Sequence, residues 1–318
     1  MIKLLFIFFF PFFINANESI TNWDDWILKK KNELSNLNFK QSTINYLDQL
    51  NYNKKILELD KKQPEKILFF EDYKTKVLSK QRLAKAVKNY YSNKNLFDQI
   101  YKEFNVSPSI LISLWALETS FGKNTGKFDI LNSLATLSFE GRRTSFFNKE
   151  FISILKLIDS GKIKRETLYG SWAGAIGQTQ FMPTTLLNYG VDFDKSGSIN
   201  LYNKVDALAS GANYLSKIGW NSKIIWGEEV NLINSSKIDD LTNKRKYYSQ
   251  DFWRSEGFFL KKNYNPNTKL KLISPKSKKK KFFLVSKNFD KILNWNRSYF
   301  FALSIYMLSD QINDKLEK

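Results

Sequence analysis

Cysteine and histidine are both absent from this sequence. Without cysteine there is no disulfide, no thiolate metal site, no cysteine nucleophile and no lipid-modified cysteine. Without histidine there is no imidazole ligand and no Ser-His-Asp triad. Acid–base chemistry falls to Asp, Glu, Lys or Tyr. Long apolar runs are missing too. Beyond the N-terminus, no stretch reaches the roughly 18 residues that a membrane-spanning helix needs. The first residues, "MIKLLFIFFFPFFINANESI", place Lys3 before an apolar run from Leu4 to Phe13, with small Ala16 behind it. This reads as a cleavable secretory signal peptide over residues 1–16, with an uncleaved anchor as the alternative.

What remains is rich in core-forming residues. With 318 residues, 42% hydrophobic and 16% aromatic, the chain can build one large domain or two to three small ones. The net charge of +19 draws it toward anionic polymers or membrane surfaces. A secretory signal favours an anionic cell wall over nucleic acid. A bias toward Lys and Asn in the genome is the plainer explanation of the charge.

Helical periodicity dominates residues 17–105, with Leu83, Val87 and Tyr90 and then Leu96, Ile100 and Phe104 at helical spacing. A further helix is expected over 107–121, with Ser107 as N-cap, Pro108 at the first helical position and Gly122 as stop. More helix follows over 130–158 and from Val205 to Trp220. From Ile224 to Val285, short apolar runs alternate with Asn, Ser and Pro, the texture of a small β-rich insertion. Lys278 to Lys281 reads as a solvated loop before a strand, with direct wall binding as the alternative. The last segment is a helix with Phe301, Ile305 and Leu308 on one stripe. The expected organisation is a signal peptide (1–16), a helical domain (17–105), a core (106–222), the insertion (223–286) and a returning C-terminal helix (287–318).

One helix carries a residue out of pattern. In "LISLWALETSFGKNTGKFD", the stripe Leu111, Leu114, Trp115 continues to Glu118. A carboxyl on an apolar stripe is costly unless neutral or paired, and burial raises its pKa toward the range where it donates and later accepts a proton. Turning out to solvent, or pairing with Lys123, is the structural alternative. Downstream lies "GSWAGAIGQTQFMP", where Gly170, Gly174 and Gly177 allow close backbone approach. Ser171, Gln178 and Gln180 offer hydrogen bonds there, and Trp172 and Phe181 offer flat faces. That mixture suits a sugar ring, or else a tight packing loop. No strand–glycine-loop–helix pattern and no Walker lysine is present, which argues against phosphate chemistry at this loop.

The motifs "ALETSFG", "SFEGRR", "GSWAGAIGQTQFMP" and "ANYL", in this order, resemble the lytic murein transglycosylases of the B type. Asp60–Tyr73 and "NRSYFFAL" match as well, so the resemblance runs from about residue 22 to 315. It implies an α+β, mainly α fold with a lysozyme-like core embedded in a helical domain. It also implies cleavage of the β-1,4 bond between N-acetylmuramic acid and N-acetylglucosamine, with 1,6-anhydromuramic ends as product. Glu118 matches the single catalytic acid/base. Ser171, Gln180, Phe181 and Tyr214 match the groove, and Asn296 an asparagine near the reacting sugar. Arg142 and Arg143 match a basic pair toward the peptide stem, and Tyr73 a groove tyrosine. Trp295 and Phe301 depart from the pattern, which has tyrosines there. With the signal peptide, the expected setting is a periplasmic, monomeric enzyme, peripheral to a membrane at most, with peptidoglycan strands as partner, no nucleic acid and no required cofactor.

"DFDKSGSINLYNKVD" opens like a calcium loop, with Asp192, Asp194 and Ser196 at alternate positions, Gly197 sixth and the Ser198 carbonyl next. Asn203 occupies the twelfth position where a bidentate Glu is usual, and Asp206 could close the site instead. Some members of the resembled family have this longer spacing. A structural calcium is one reading, and an Asx-rich turn without metal is the other. Two other functions stay open, and a secreted nucleic-acid binder, with salt-dependent DNA affinity and no need of Glu118, is a distant third. A hydrolytic muramidase needs a second carboxylate to hold water, for which Glu140 or Asp129 are candidates. A wall-binding protein without catalysis needs no buried carboxyl at all.

Overall fold

The computed structural model describes residues 22–62, 69–231, 241–242 and 246–317. The expected signal peptide and the middle of the Asp60–Tyr73 motif lie outside the described residues. Contacts divide the chain after Gln49. In the first unit, α1 (Trp23–Asn36) packs on the short α2 (Gln41–Ile44). Asn22 caps α1 by accepting a hydrogen bond from the Asp24 amide at 3.1 Å.

The second unit is a helical assembly around one apolar rod. Its elements are α3 (Lys54–Lys61), α4 (Phe70–Val77), α5 (Lys80–Ser92), α6 (Lys94–Phe104), α7 (Pro108–Thr119), α8 (Ile130–Glu140) and α9 (Thr144–Asp159). They are followed by α10 (Pro183–Tyr189), α11 (Lys204–Lys217), α12 (Gln250–Ser255), α13 (Lys287–Trp295) and α14 (Tyr299–Leu316). α7 is surrounded by α5, α6, α11 and α14. Every residue from Ser109 to Ala116 is buried. The stripe reading is therefore corrected: α7 is apolar all round because it has neighbours all round. Its N-terminus carries Pro108 as expected, although the Ser107 side chain makes no capping bond. It also ends earlier than Gly122. Ser120, Phe121 and Gly122 have φ of +54°, +63° and +79°, and the Ser120 and Phe121 amides bond back to the Ala116 and Trp115 carbonyls. Left-handed residues close the last turn in the manner of a C-terminal cap, two positions before the glycine.

Two small antiparallel sheets complete the unit. β1 (Phe128–Asp129) pairs with β2 (Tyr169–Gly170). This tethers the glycine-rich segment to the chain just after α7. β5 (Phe282–Val285) runs between β3 (Gly227–Val230) and β4 (Lys271–Ile273). Its four residues are all buried, the pattern of a strand covered on both faces. Phe282 and Leu284 enter a cluster with Trp253, Phe258 and Leu272. Phe283 faces the other way, its ring 5.9 Å from that of Phe70 on α4. The sheet thus seats α4, the helix that carries Tyr73.

Candidate active site

Glu118 stands in the last turn of α7, and its surroundings come from three distant segments. The Trp295 indole Nε1 donates to Glu118 Oε1 at 2.9 Å. Burial raises the carboxyl from its ordinary value to about 7, and the Trp295 hydrogen bond opposes this by favouring the charged form. The residue is half-buried, and its carboxyl is held by Trp295 and not by Lys123. Tyr73 lies within electrostatic reach: its hydroxyl pKa is raised by burial first and then by the Glu118 charge. Its ring packs on Phe300 at 5.7 Å.

Trp295 belongs to an aromatic wall. Its ring lies 5.2 Å from Phe181 and 5.4 Å from Tyr214, and Tyr214 meets Tyr189 edge-on at 5.0 Å. Together with Gln180, Met182, Thr185 and Asn294, the wall lines a cavity of about 70 Å³. Gly211 lets α11 approach it, because a Cβ there would meet Trp295 Cη2 at 3.3 Å and Thr179 Cγ2 at 3.5 Å. Asn296 ends α13 beside Trp295, exposed, with Oδ1 accepting from the Ser298 amide at 3.2 Å.

The glycine-rich segment is a braced loop. The Ile176 and Phe181 backbones exchange hydrogen bonds at 2.8 and 3.1 Å, around a tip in which Gly177 and Gln180 have positive φ. Gln178 is its main fastener: its Oε1 accepts from the Trp115 indole at 2.7 Å, and its Nε2 donates to the Tyr202 carbonyl at 2.6 Å. Thr119 adds a bond to the Gln178 carbonyl at 2.8 Å. These bonds lock the loop to the turn that carries Glu118. Ser171 Oγ accepts from the Ala175 amide at 2.9 Å, and Gln180 Nε2 donates to Gly177 at 2.9 Å and Thr125 at 3.2 Å. Gly126, at φ +95°, is where the chain crosses this loop. A Cβ would lie 2.0 Å from the Gly170 carbonyl oxygen, so only glycine fits.

Glu118, Trp295, Phe181, Tyr214 and Tyr73 are thus assembled by the fold, with Gln180 and Asn296 beside them. Arg142 and Arg143 are engaged locally. Arg142 binds buried Asp60 through Nε at 3.3 Å and its carbonyl through a terminal nitrogen at 2.6 Å. Arg143 lies over Phe146 and Phe147. Of the two reserve carboxylates, Asp129 caps α8 through the Asn132 amide at 2.9 Å and pairs with Arg165 at 2.6 Å. Glu140 accepts from the Tyr52 hydroxyl. Trp295 is the partner that sequence reasoning missed. It was visible as a departure from the family pattern, yet nothing in the sequence joined it to a residue 177 positions away.

The acidic loop is also tied together by hydrogen bonds. Carboxylate oxygens of Asp192, Asp194 and Asp206 lie within 4.8 Å of one another. Asp206 is fully buried and accepts from the Phe193, Asp194 and Asn200 amides at 2.8, 3.3 and 2.8 Å. Asn203 donates to Asp194 Oδ2 at 2.7 Å and caps α11 through the Val205 amide. Ser196 Oγ bonds the Ser198 carbonyl at 3.1 Å. An all-oxygen donor set of this kind fits a hard divalent cation.

Known proteins resemble this chain over most of its length. The transglycosylase SLT domain family matches residues 22–310. The membrane-bound lytic murein transglycosylase B of Escherichia coli (strain K12) is 33% identical over 178 residues, covering 55% of this chain and 48% of that protein. The match therefore spans about half the length of this curated relative. Among solved structures, SltB3 from Pseudomonas aeruginosa in complex with NAG-anhNAM-pentapeptide is similar at TM-score 0.85 and 28% identity, covering 92% of this chain and 80% of that one. The Escherichia coli lytic transglycosylase Slt35 in complex with calcium is similar at TM-score 0.77 and 26% identity, covering 94% of each chain.

Proposed function

This chain belongs to the transglycosylase SLT domain family, and from that premise we propose that it is a peptidoglycan lytic transglycosylase with Glu118 as its acid/base. The observation that carries the reading is the Glu118 carboxyl, raised by burial to about 7 and held by one indole N–H. Near neutrality such a group is protonated in part and can act in both directions. In the first step it protonates the glycosidic oxygen, and the bond from muramic C1 to that oxygen breaks. The sugar's own acetamido group stabilises the cation that develops at C1. In the second step Glu118 takes the proton from the muramic 6-hydroxyl, whose oxygen bonds to C1. The proton returns to the enzyme and no water is consumed. An attached hydroxyl replaces water at high effective concentration.

Two-carboxylate glycosidases place a second acid across the bond. Asp129 and Glu140 are each committed to other partners, which favours the one-carboxylate route over hydrolysis. Phe181, Tyr214, Trp295 and Tyr73 form the aromatic and hydroxylic groove, with Gln180, Ser171 and Asn296 as polar contacts. Arg142 and Arg143 would meet the peptide stem, Arg142 sharing its guanidinium with Asp60. A calcium ion would be held by Asp192, Asp194, Ser196 and the Ser198 carbonyl, with Asp206 closing the site, and would add stability. The basic charge and the family together support action in the cell envelope on glycan strands.

Mass spectrometry of products from purified peptidoglycan tests this. Wild-type products lighter than reducing-end muropeptides by one water, and absent with Glu118→Gln, are expected. Reducing ends that contain water would move the reaction to hydrolysis. No cleavage by folded wild type would favour a wall-binding protein.

A further inference from the structure

Away from Glu118, three described segments line an open cleft of about 510 Å³ that includes Lys223, Lys269 and Lys287. No carboxylate among the described residues lines it. The three lysines are exposed, and none has an acidic partner among the described residues. Four other lysines of the same region are neutralised: Lys271 by Asp290 and Lys262 by Asp310, both at 2.8 Å, Lys278 by Asp72 and Lys281 by Glu229, whereas Lys291 donates to the Ile218 carbonyl. Asp290, the acid in the first turn of α13, is thus already taken.

The walls are fixed before any ligand arrives. Buried Asn288 clamps the first segment, donating to the Asn221 and Ile224 carbonyls at 2.7 and 2.9 Å and accepting from the Asn221 amide at 3.2 Å. The second is a turn in which Asn265 accepts from the Asn267 amide at 3.0 Å, while Gln250 holds the Asn265 carbonyl at 2.8 Å. The third is Ser286 at the start of α13, a nine-residue helix whose positive end meets the cavity.

We propose that this cavity binds a multiply charged phosphate-type anion. Three lysine ammonium groups on preformed walls match the charge of a di- or polyphosphate group better than that of one carboxylate, and ammonium is a point-charge phosphate binder. The volume exceeds that of phosphate alone. Thr268 and Asn267 line the remainder and supply hydrogen bonds to whatever carries the phosphate. The site does not depend on Glu118.

Calorimetry with inorganic pyrophosphate on the full chain tests it. Wild type is expected to bind, and Lys223→Gln/Lys269→Gln/Lys287→Gln to weaken binding at least about tenfold, or about 1.4 kcal/mol. Lys55→Gln/Lys80→Gln/Lys102→Gln removes the same charge from exposed positions elsewhere and is expected to leave binding unchanged. Equal weakening by both triple variants would assign the effect to diffuse charge and overturn the proposal, as would failure of wild type to bind. If the triple variant does not melt cooperatively, Lys269→Glu alone, in an exposed turn, carries the same expectation. Cosedimentation with phosphatidic acid/phosphatidylcholine vesicles then separates sources. Lysine-dependent vesicle binding identifies a lipid headgroup, and pyrophosphate binding without it identifies a soluble phosphate.

Discussion

At Glu118, the same desolvation that prepares a proton donor also weakens the fold. The folded pKa is about 7 against an ordinary 4.5. Between those values the folded chain keeps a proton that the unfolded chain has released, so stability falls as pH rises through the window. The penalty, complete above pH 7, is on the order of 3 kcal/mol. Glu118→Gln removes the titration, so urea unfolding is expected to show the variant more stable than wild type at pH 8, with the gain gone at pH 4. An equal difference at both pH values would refute the assignment. The Trp295 hydrogen bond favours the carboxylate, so Trp295→Phe is expected to raise the Glu118 pKa further. Cleavage rate should then decline at a higher pH in the variant than in wild type. An unmoved limb would reduce Trp295 to packing.

Among the elements, α7 shows how position in a bundle overrides pattern. Its spacing reads as amphipathic because Leu111, Leu114 and Trp115 recur at helical intervals. Ile110, Ile112 and Ala116 fill the other sides, and four neighbouring helices bury them all. A local pattern cannot reveal how many neighbours a helix will have. The acidic loop shows the opposite: its Asp and Gly spacing was legible, and the fold gathers its carboxylates as that spacing implies. If calcium occupies the loop, the melting temperature should rise with free calcium by mass action and fall on chelation. Asp192→Asn should abolish the response, and an identical melt with and without calcium would leave a metal-free Asx turn.

For the whole molecule, the +19 charge acts at range. Binding of Glu118→Gln to purified sacculi is expected to weaken as salt shortens the screening length from about 10 Å at 0.1 M to about 3 Å at 1 M. Salt-independent retention would mean that groove contacts carry the binding. The sequence by itself determined the chemical repertoire: no thiol or imidazole, one carboxyl in an apolar helix, and a glycine-rich polar loop whose motifs mark the family. These are properties of residue type and short spacing, which the chain carries before it folds. Only the tertiary structure decided which groups meet that carboxyl. Trp295 and Tyr73 reach Glu118 from opposite ends of the chain, Asp129 and Glu140 are drawn off to other partners, and three lysines from separate segments share one cavity. Burial and long-range hydrogen bonds depend on where distant segments pack, and no local window of sequence encodes that.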